Sequence, residues 1–384
     1  MREVSSAIRG MARSGIREVY DMASSMTDVI HLEFGEPNFD TPAHVCDAAA
    51  LAAARGFTKY TPNAGIPELR EALAVKVRER NHLEVEPSQV IVTVGAVAGL
   101  FSTMLVLCEP GDEVLVTDPS WPNYRMIARL QGLAARSFPL LPEHRMEPRA
   151  ELIEPLITKR TRVIVLNSPS NPTGTVIGRE ALGELIDLAR HYDIWILSDE
   201  VYDEITFERP MTSIASLDPD GRVFTVFSFS KTYAMTGWRV GYVVAPPQLA
   251  GFVVKTQEPL TACVNAPAQM AALAALTGPQ DIVAEMCAAY RERRDRVLST
   301  LEAAEIPTMR PDGAFYVWAD VSKTGMTTEG FTRRLISERR VAVVPGSAFG
   351  PQSDSHVRLS LAADPANLYE ALERITDAYT LWSN

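Results

Sequence analysis

The sequence predicts an α/β fold: a mainly parallel sheet flanked by helices, with a smaller α+β unit beside it. Short β-branched or aromatic runs recur at Val90–Val94, Glu113–Thr117, Arg162–Leu166, Ile194–Leu197, Val223–Phe227 and Arg239–Val244, with helical stretches between several of them. Such alternation builds a parallel sheet covered by helices on its faces. The runs are followed by clusters rich in Gly, Pro, Ser, Asn or Asp, and at 384 residues the chain is longer than one ordinary core organises.

The elements follow in order. Residues 1 to about 23 carry Arg2, Arg9, Arg13 and Arg17 among serines, which faintly suggests a transit peptide; Glu3, Glu18 and Asp21 and the missing apolar stretch argue instead for a polar arm packed on a neighbouring subunit or on the body. Ala43 to Arg55 is alanine-rich, preceded by Thr41-Pro42 and followed by Gly56, and so reads as a helix with start and stop signals. Glu68 to Arg80 is a second helix. The runs are followed by five such clusters, VGAVAG, DPSWPNY, NSPSNPTG, SDEVY and SFSKTY. Ligands of open α/β sheets sit at the carboxyl edge of the strands, so these clusters are where chemistry is expected. From about Asp281 the pattern changes to a long arginine-rich helix (Ala288–Ala304), short strands and a terminal helix. The expected division is an arm and part of the small unit at 1–40, a large unit at 41–285 and a small C-terminal unit at 286–384.

Composition narrows the function. A formal charge of −11, from 48 acidic against 37 basic residues, gives no reason to expect a nucleic acid, and no apolar run suits a membrane. Cys46, Cys108, Cys263 and Cys287 lie far apart without zinc-ligand spacing, which favours a reducing cytoplasm. The six histidines, at 31, 44, 82, 144, 191 and 356, form no H-E-x-x-H or similar pattern, so no metal site is expected. Gly346 to Gly350 is not G-x-S-x-G, which removes a serine-hydrolase elbow.

The most informative segment is SFSKTYAMTGWRVG, Ser228 to Gly241. Alone, Lys231 reads as a solvated surface lysine. Its neighbours change that reading, because a lysine nucleophile needs a desolvated setting, and Ser228, Ser230 and Arg239 offer donors for a phosphate. The segment resembles the lysine motif of class I, fold-type I, pyridoxal-phosphate-dependent aminotransferases, in the aspartate/aromatic branch. The resemblance extends through FGEPNFDTP (34–42), KYTPNAGIPELREAL (59–73), NSPSNPTG (167–174), SDEVY (198–202), GAFYVW (313–318), VVPGSAFG (343–350) and HVRLSLA (356–362).

The resemblance implies a seven-stranded sheet, pyridoxal 5′-phosphate held by Lys231 as a Schiff base, and a role for each matching residue. Asp199, otherwise a strand-end cap, is the carboxylate that keeps the pyridine nitrogen protonated. Tyr202, otherwise a core tyrosine, bonds the phenolic oxygen, as does Asn171, which also helps hold the substrate carboxylate. The turn at Ala96 and Val97 takes the phosphate on backbone N–H groups at a helix N-terminus. It lacks G-x-G-x-x-G and the P-loop pattern, so a dinucleotide is a poor fit. Trp121 stacks on the pyridine face; without its flanking motif a core tryptophan is an even alternative. Arg358 grips the substrate α-carboxylate through two parallel hydrogen bonds, with the Gly35 N–H on the same group. Tyr60 reaches the phosphate of the other subunit, which implies a homodimer with shared active sites.

The implied reaction is ping-pong transfer of an amino group between an L-amino acid and a 2-oxo acid. Elimination, as in carbon–sulfur lyases, is the alternative on the same site. A regulator built on this fold needs a DNA-binding arm, and the sheet begins within the first hundred residues. Dicarboxylate-specific relatives in this branch have a lysine in a G-G-K-Q turn where this chain has Val97. An apolar or aromatic variable substrate is therefore expected, unless Arg13 or Arg17 of the arm reaches the site; Phe34 adds apolar surface.

Overall fold

The computed structural model describes residues 3–11 and 13–383. Its strands, in chain order, are β1 (Ile30–His31), β2 (Val90–Thr93), β3 (Glu113–Asp118), β4 (Ala134–Pro139), β5 (Thr161–Asn167), β6 (Trp195–Asp199), β7 (Val223–Ser228), β8 (Gly241–Val244), β9 (Tyr316–Asp320), β10 (Val341–Ala342), β11 (Val344–Pro345) and β12 (His356–Ser360).

Among the described residues, seven of these form one sheet in the order β2-β8-β7-β6-β5-β3-β4. Only β8 runs antiparallel to its neighbours, β2 and β7. Both sides of the central strands are apolar. Val114 and Val116 join Val163, Val165, Leu197 and Val226 under Leu100 and Met104 of the helix Gly95–Leu107. Leu115, Ile164, Leu166 and Ile196 face the other way, under Leu182, Leu185 and Ile186 of the helix Arg179–His191. Period-two alternation thus delivers apolar side chains to both helix layers. Truncating the fully buried Leu185 to alanine should cost about 2–5 kcal/mol.

Three details depart from the sequence reading. β4 is a strand the apolar runs did not reveal, because ARSFP is polar on its half-exposed edge. Arg239 does not begin a strand: with φ at 55° it sits in the left-handed region after the turn Thr236–Trp238, and the strand starts at Gly241. The arginine-rich helix runs from Asp281 to Ala303, so it begins before the expected Ala288.

A second sheet, β11-β12-β9, is antiparallel, and β1 pairs in parallel with β10 beside it. Leu32 N–H donates to Ala342 and Ser360 N–H donates to Leu32, which stitches the chain entering the site to both small sheets. The arm packs on the body of its own chain: the helix Gly15–Ser24 buries Val19 and Ala23 against Ile336 and Ala342. Among the described residues no helix is long and apolar enough to cross a membrane.

Candidate active site

The carboxyl ends of β3, β5, β6 and β7 converge on a cavity of about 280 Å³, closed from the small-sheet side by β9 and β12. Every sequence-predicted site residue except Tyr60 lines it. From the large sheet come Ala96, Val97, Trp121, Asn171, Asp199 and Tyr202, then Ser228, Ser230, Lys231 and Arg239. Gly35 and Arg358 come from the small-sheet side. Tyr60 is 90% exposed on its own chain and stands outside this cavity.

Lys231 lies in the short helix Phe229–Thr232, capped by the Ser228 hydroxyl accepting from Ser230 N–H. Its ammonium donates to the Gly35 carbonyl. Burial holds the amine down to about 8, with Arg239 and Arg358 adding repulsion against the attraction of Glu36 and Asp199. A lysine so desolvated has a neutral, nucleophilic fraction near neutral pH.

Asp199 ends β6 out of solvent, and burial pushes its carboxyl up to about 6 against the opposing pull of Tyr124, the Val201 backbone N–H and Lys231. Tyr124 donates to Oδ2 at 2.6 Å, whereas among the described residues Oδ1 has no hydrogen-bond partner. An unpartnered buried carboxylate oxygen is costly and wants a donor.

The helix Gly95–Leu107 begins at the edge of the cavity with no side-chain cap on its first N–H groups. Gly95 has φ of 70°, and a Cβ there would stand 2.4 Å from an Arg239 guanidinium nitrogen. Free N–H groups, a helix dipole, a guanidinium and two serine hydroxyls therefore meet in one corner, which suits a phosphate.

Arg358 is buried to 1% exposure on β12. Its Nη1 donates to Asn171 Oδ1 at 2.9 Å and its other terminal nitrogen to the Glu33 carbonyl. Nε has no partner, and among the described residues no carboxylate pairs with this guanidinium. Asn171 N–H donates to Asn167 Oδ1 at 2.7 Å, and Asn167 Nδ2 donates to the Asp199 carbonyl at 2.9 Å. The guanidinium is thus tied to the Asp199 strand end. A buried cation left unpaired costs several kcal/mol unless an anion joins it.

Residues 27–375 match the family described as aminotransferase class I and II. The chain belongs to that family. It is 40% identical over 373 residues to aspartate aminotransferase of Pyrococcus horikoshii, covering 95% of this chain and 94% of that one. It is 41% identical over 381 residues to aspartate/prephenate aminotransferase of Thermus thermophilus, covering 97% and 98%. Its structure is similar to that of Thermus thermophilus aspartate aminotransferase with maleate, at a TM-score of 0.94 and 40% identity, covering 98% and 100%. It is a pyridoxal-phosphate-dependent transaminase of the aspartate/aromatic branch of class I.

The aminotransferase cavity fits that cofactor. The unpartnered Oδ1 of Asp199 suits a protonated pyridine nitrogen, the uncapped helix end with Arg239 suits the phosphate, and Lys231 suits the aldehyde.

Six residues of this aminotransferase site escaped the sequence reading: Ile16, Tyr124, Asn167, Val201, Thr236 and Tyr316 all line the cavity. Asn167 and Tyr124 stand in clusters already singled out, NSPSNPTG and DPSWPNY, so position in a strand-end cluster was the available signal. Tyr316 lies in GAFYVW, where period-two alternation points it to the same face as Trp318. Ile16 had no signal beyond being an apolar residue in a polar arm. Neither arginine held open for the site is there: Arg13 pairs with Asp21 at 2.5 Å, and the Arg17 guanidinium lies 5.7 Å from the Tyr20 ring centre.

Proposed function

We propose that this transaminase works by two half-reactions in one site, taking an L-amino acid with an apolar or aromatic side chain as its variable donor. The observation that carries the reading is Arg358, a buried guanidinium with an unpartnered Nε and no carboxylate of its own. It would take the α-carboxylate of either substrate, with Asn171 and the Gly35 N–H alongside.

Bound in the cavity, pyridoxal phosphate supplies an electron-withdrawing ring that accepts the amino group and stabilises negative charge at the substrate Cα. Asp199 Oδ1 would hold the proton on the pyridine nitrogen, and Ser228, Ser230 and Arg239 would anchor the phosphate beside the N–H groups at Ala96 and Val97. Trp121 would cover one ring face. Lys231 Nζ would be the covalent anchor and, once free, would take the proton from the substrate Cα as general base and deliver it as general acid to the cofactor C4′. Since one grip serves both carboxylates in turn, the kinetics are ping-pong.

Side-chain selectivity rests on what the cavity lacks. Its cations are Lys231, Arg239 and Arg358, and each already has a role above. Val97 and Ile16 contribute apolar wall. A distal carboxylate would find no fourth cation among the described lining residues, and burying it unpaired is costly. The aspartate donors named for relatives make aspartate the competing reading. A second chain completes the proposal: exposed Tyr60 would reach the partner's phosphate in a homodimer.

The test is a panel of donors, alanine, leucine, phenylalanine and aspartate, against pyruvate, oxaloacetate and 2-oxoglutarate. Higher kcat/KM for phenylalanine or leucine than for aspartate is expected; aspartate as the best donor would overturn the side-chain assignment while leaving transamination intact.

A further inference from the structure

We propose that Tyr316 is a positioning residue that turns the Tyr202 hydroxyl toward the cofactor. The proposal rests on the assignment of Tyr202 to the cofactor's phenolic oxygen. Tyr202 follows β6 of the large sheet and Tyr316 opens β9 of the small one, yet their hydroxyl oxygens are 2.8 Å apart, either able to donate. Both side chains are buried, and among the described residues neither hydroxyl has another hydrogen-bond partner. The rings meet edge to face at 5.8 Å.

One of the two must give its proton to the other. If Tyr202 donates to Tyr316, it has nothing left to donate into the cavity. When Tyr316 donates, the Tyr202 proton is free, and a hydroxyl that accepts one bond becomes a stronger donor in the next.

The surroundings favour Tyr316 as the donor. The Arg358 guanidinium lies 4.4 Å from the Tyr316 ring centre, and a cation there makes the phenol more acidic. The titratable and charged groups facing the pair are Arg358 from β12, Asp199 from the end of β6, Tyr124 beside Tyr202 and Tyr290 beside Tyr316; of these groups Glu33 touches only Arg358, through its carbonyl. The chain also makes room for this hydroxyl. A Cβ at position 35 would stand 2.2 Å from the Tyr316 oxygen, so Gly35 admits it. Tyr316 therefore touches the cofactor-facing tyrosine, the carboxylate grip and the glycine whose carbonyl accepts from Lys231.

A hydrogen bond donated to the cofactor's phenolic oxygen favours its anionic form, so weakening that bond raises the pH at which the bound cofactor changes colour. The experiment titrates the visible absorbance of the cofactor-loaded protein in the wild type, Tyr202→Phe, Tyr316→Phe and the double variant. Tyr316→Phe keeps the ring under Arg358 and removes only the hydroxyl. Its midpoint should rise by roughly half to one pH unit, and the same substitution should add nothing once Tyr202 is phenylalanine. An equal shift in both backgrounds, or no shift in either, overturns the inference. If Tyr202→Phe itself leaves the midpoint unmoved, the assignment of Tyr202 fails first and carries this inference with it.

Discussion

The Tyr124 hydroxyl donates to Oδ2 of Asp199 at 2.6 Å, while Oδ1 of the same buried carboxylate has no hydrogen-bond partner among the described residues. One oxygen is held by Tyr124, and in the proposed reaction the other would meet the cofactor's pyridine nitrogen. Burial pushes the Tyr124 phenol well above its ordinary value, so it remains a donor throughout the working pH range. Removing it should leave Asp199 free to rotate and more basic. Tyr124→Phe should lower kcat roughly tenfold to a hundredfold, the worth of a bond to a charged group, and weaken cofactor affinity as measured by equilibrium titration. Unchanged kcat together with unchanged affinity would reduce Tyr124 to packing.

Lys231 predicts a pH dependence of cofactor uptake. Burial lowers the amine to about 8 in the cofactor-free chain. Below that value it is protonated and cannot attack an aldehyde; above it the neutral amine is available. The rate at which the cofactor-free protein forms a borohydride-reducible adduct should climb through about pH 8 and then level off. Lys231→Ala should form none, and a reducible adduct in that variant would place the anchor elsewhere.

Val97 predicts a switch of substrate. Val97→Lys puts an ammonium on the cavity wall, whose cations among the described residues are Lys231, Arg239 and Arg358. A charge-assisted bond of roughly 1.5–3 kcal/mol should raise kcat/KM for aspartate about tenfold to a hundredfold and lower it for leucine. If aspartate is already preferred and the lysine changes nothing, Val97 does not face the donor side chain.

Exposed Tyr60 predicts complementation. Lys231→Ala and a Tyr60→Phe chain weakened by the lost phosphate contact should, when mixed, recover activity above the sum of the two, because one hybrid site keeps both residues. Recovery that fails after confirmed subunit exchange argues for sites made of one chain.

Glu200 predicts a stability trend. It is buried beside Asp199, its Oε1 accepts from Ser198 and Ser213, its Oε2 has no partner among the described residues, and burial pushes it up to about 8. Between the ordinary value of 4.5 and about 8 the folded state binds the extra proton. Stability from this group is therefore present at low pH and lost as pH rises through that window. Glu200→Gln should be less sensitive over the same range, read as the change in Tm with pH against the wild type; parallel curves would refute it.

What the sequence determined by itself was local. Period-two runs ending in turn-forming clusters placed β3, β5, β6 and β7 and the edge where ligands sit. The resemblance of SFSKTYAMTGWR, SDEVY and NSPSNPTG to the family's motifs put forward Lys231, Asp199 and Asn171, each of which read alone as a surface lysine, a strand-end cap or a turn residue. Tertiary structure decided the pairings across the chain. Arg358 meets Asn171 from 187 positions away, Tyr124 meets Asp199 from 75 away, and Tyr316 meets Tyr202 from 114 away. β4 escaped notice because an edge strand needs its neighbour more than an apolar pattern, and Ile16 because an arm shows what it covers only after it has docked. Periodicity and turn chemistry are written in neighbouring residues. Which buried oxygen is left unpaired depends on how distant elements pack, and that is where the fold leaves room for cofactor and substrate.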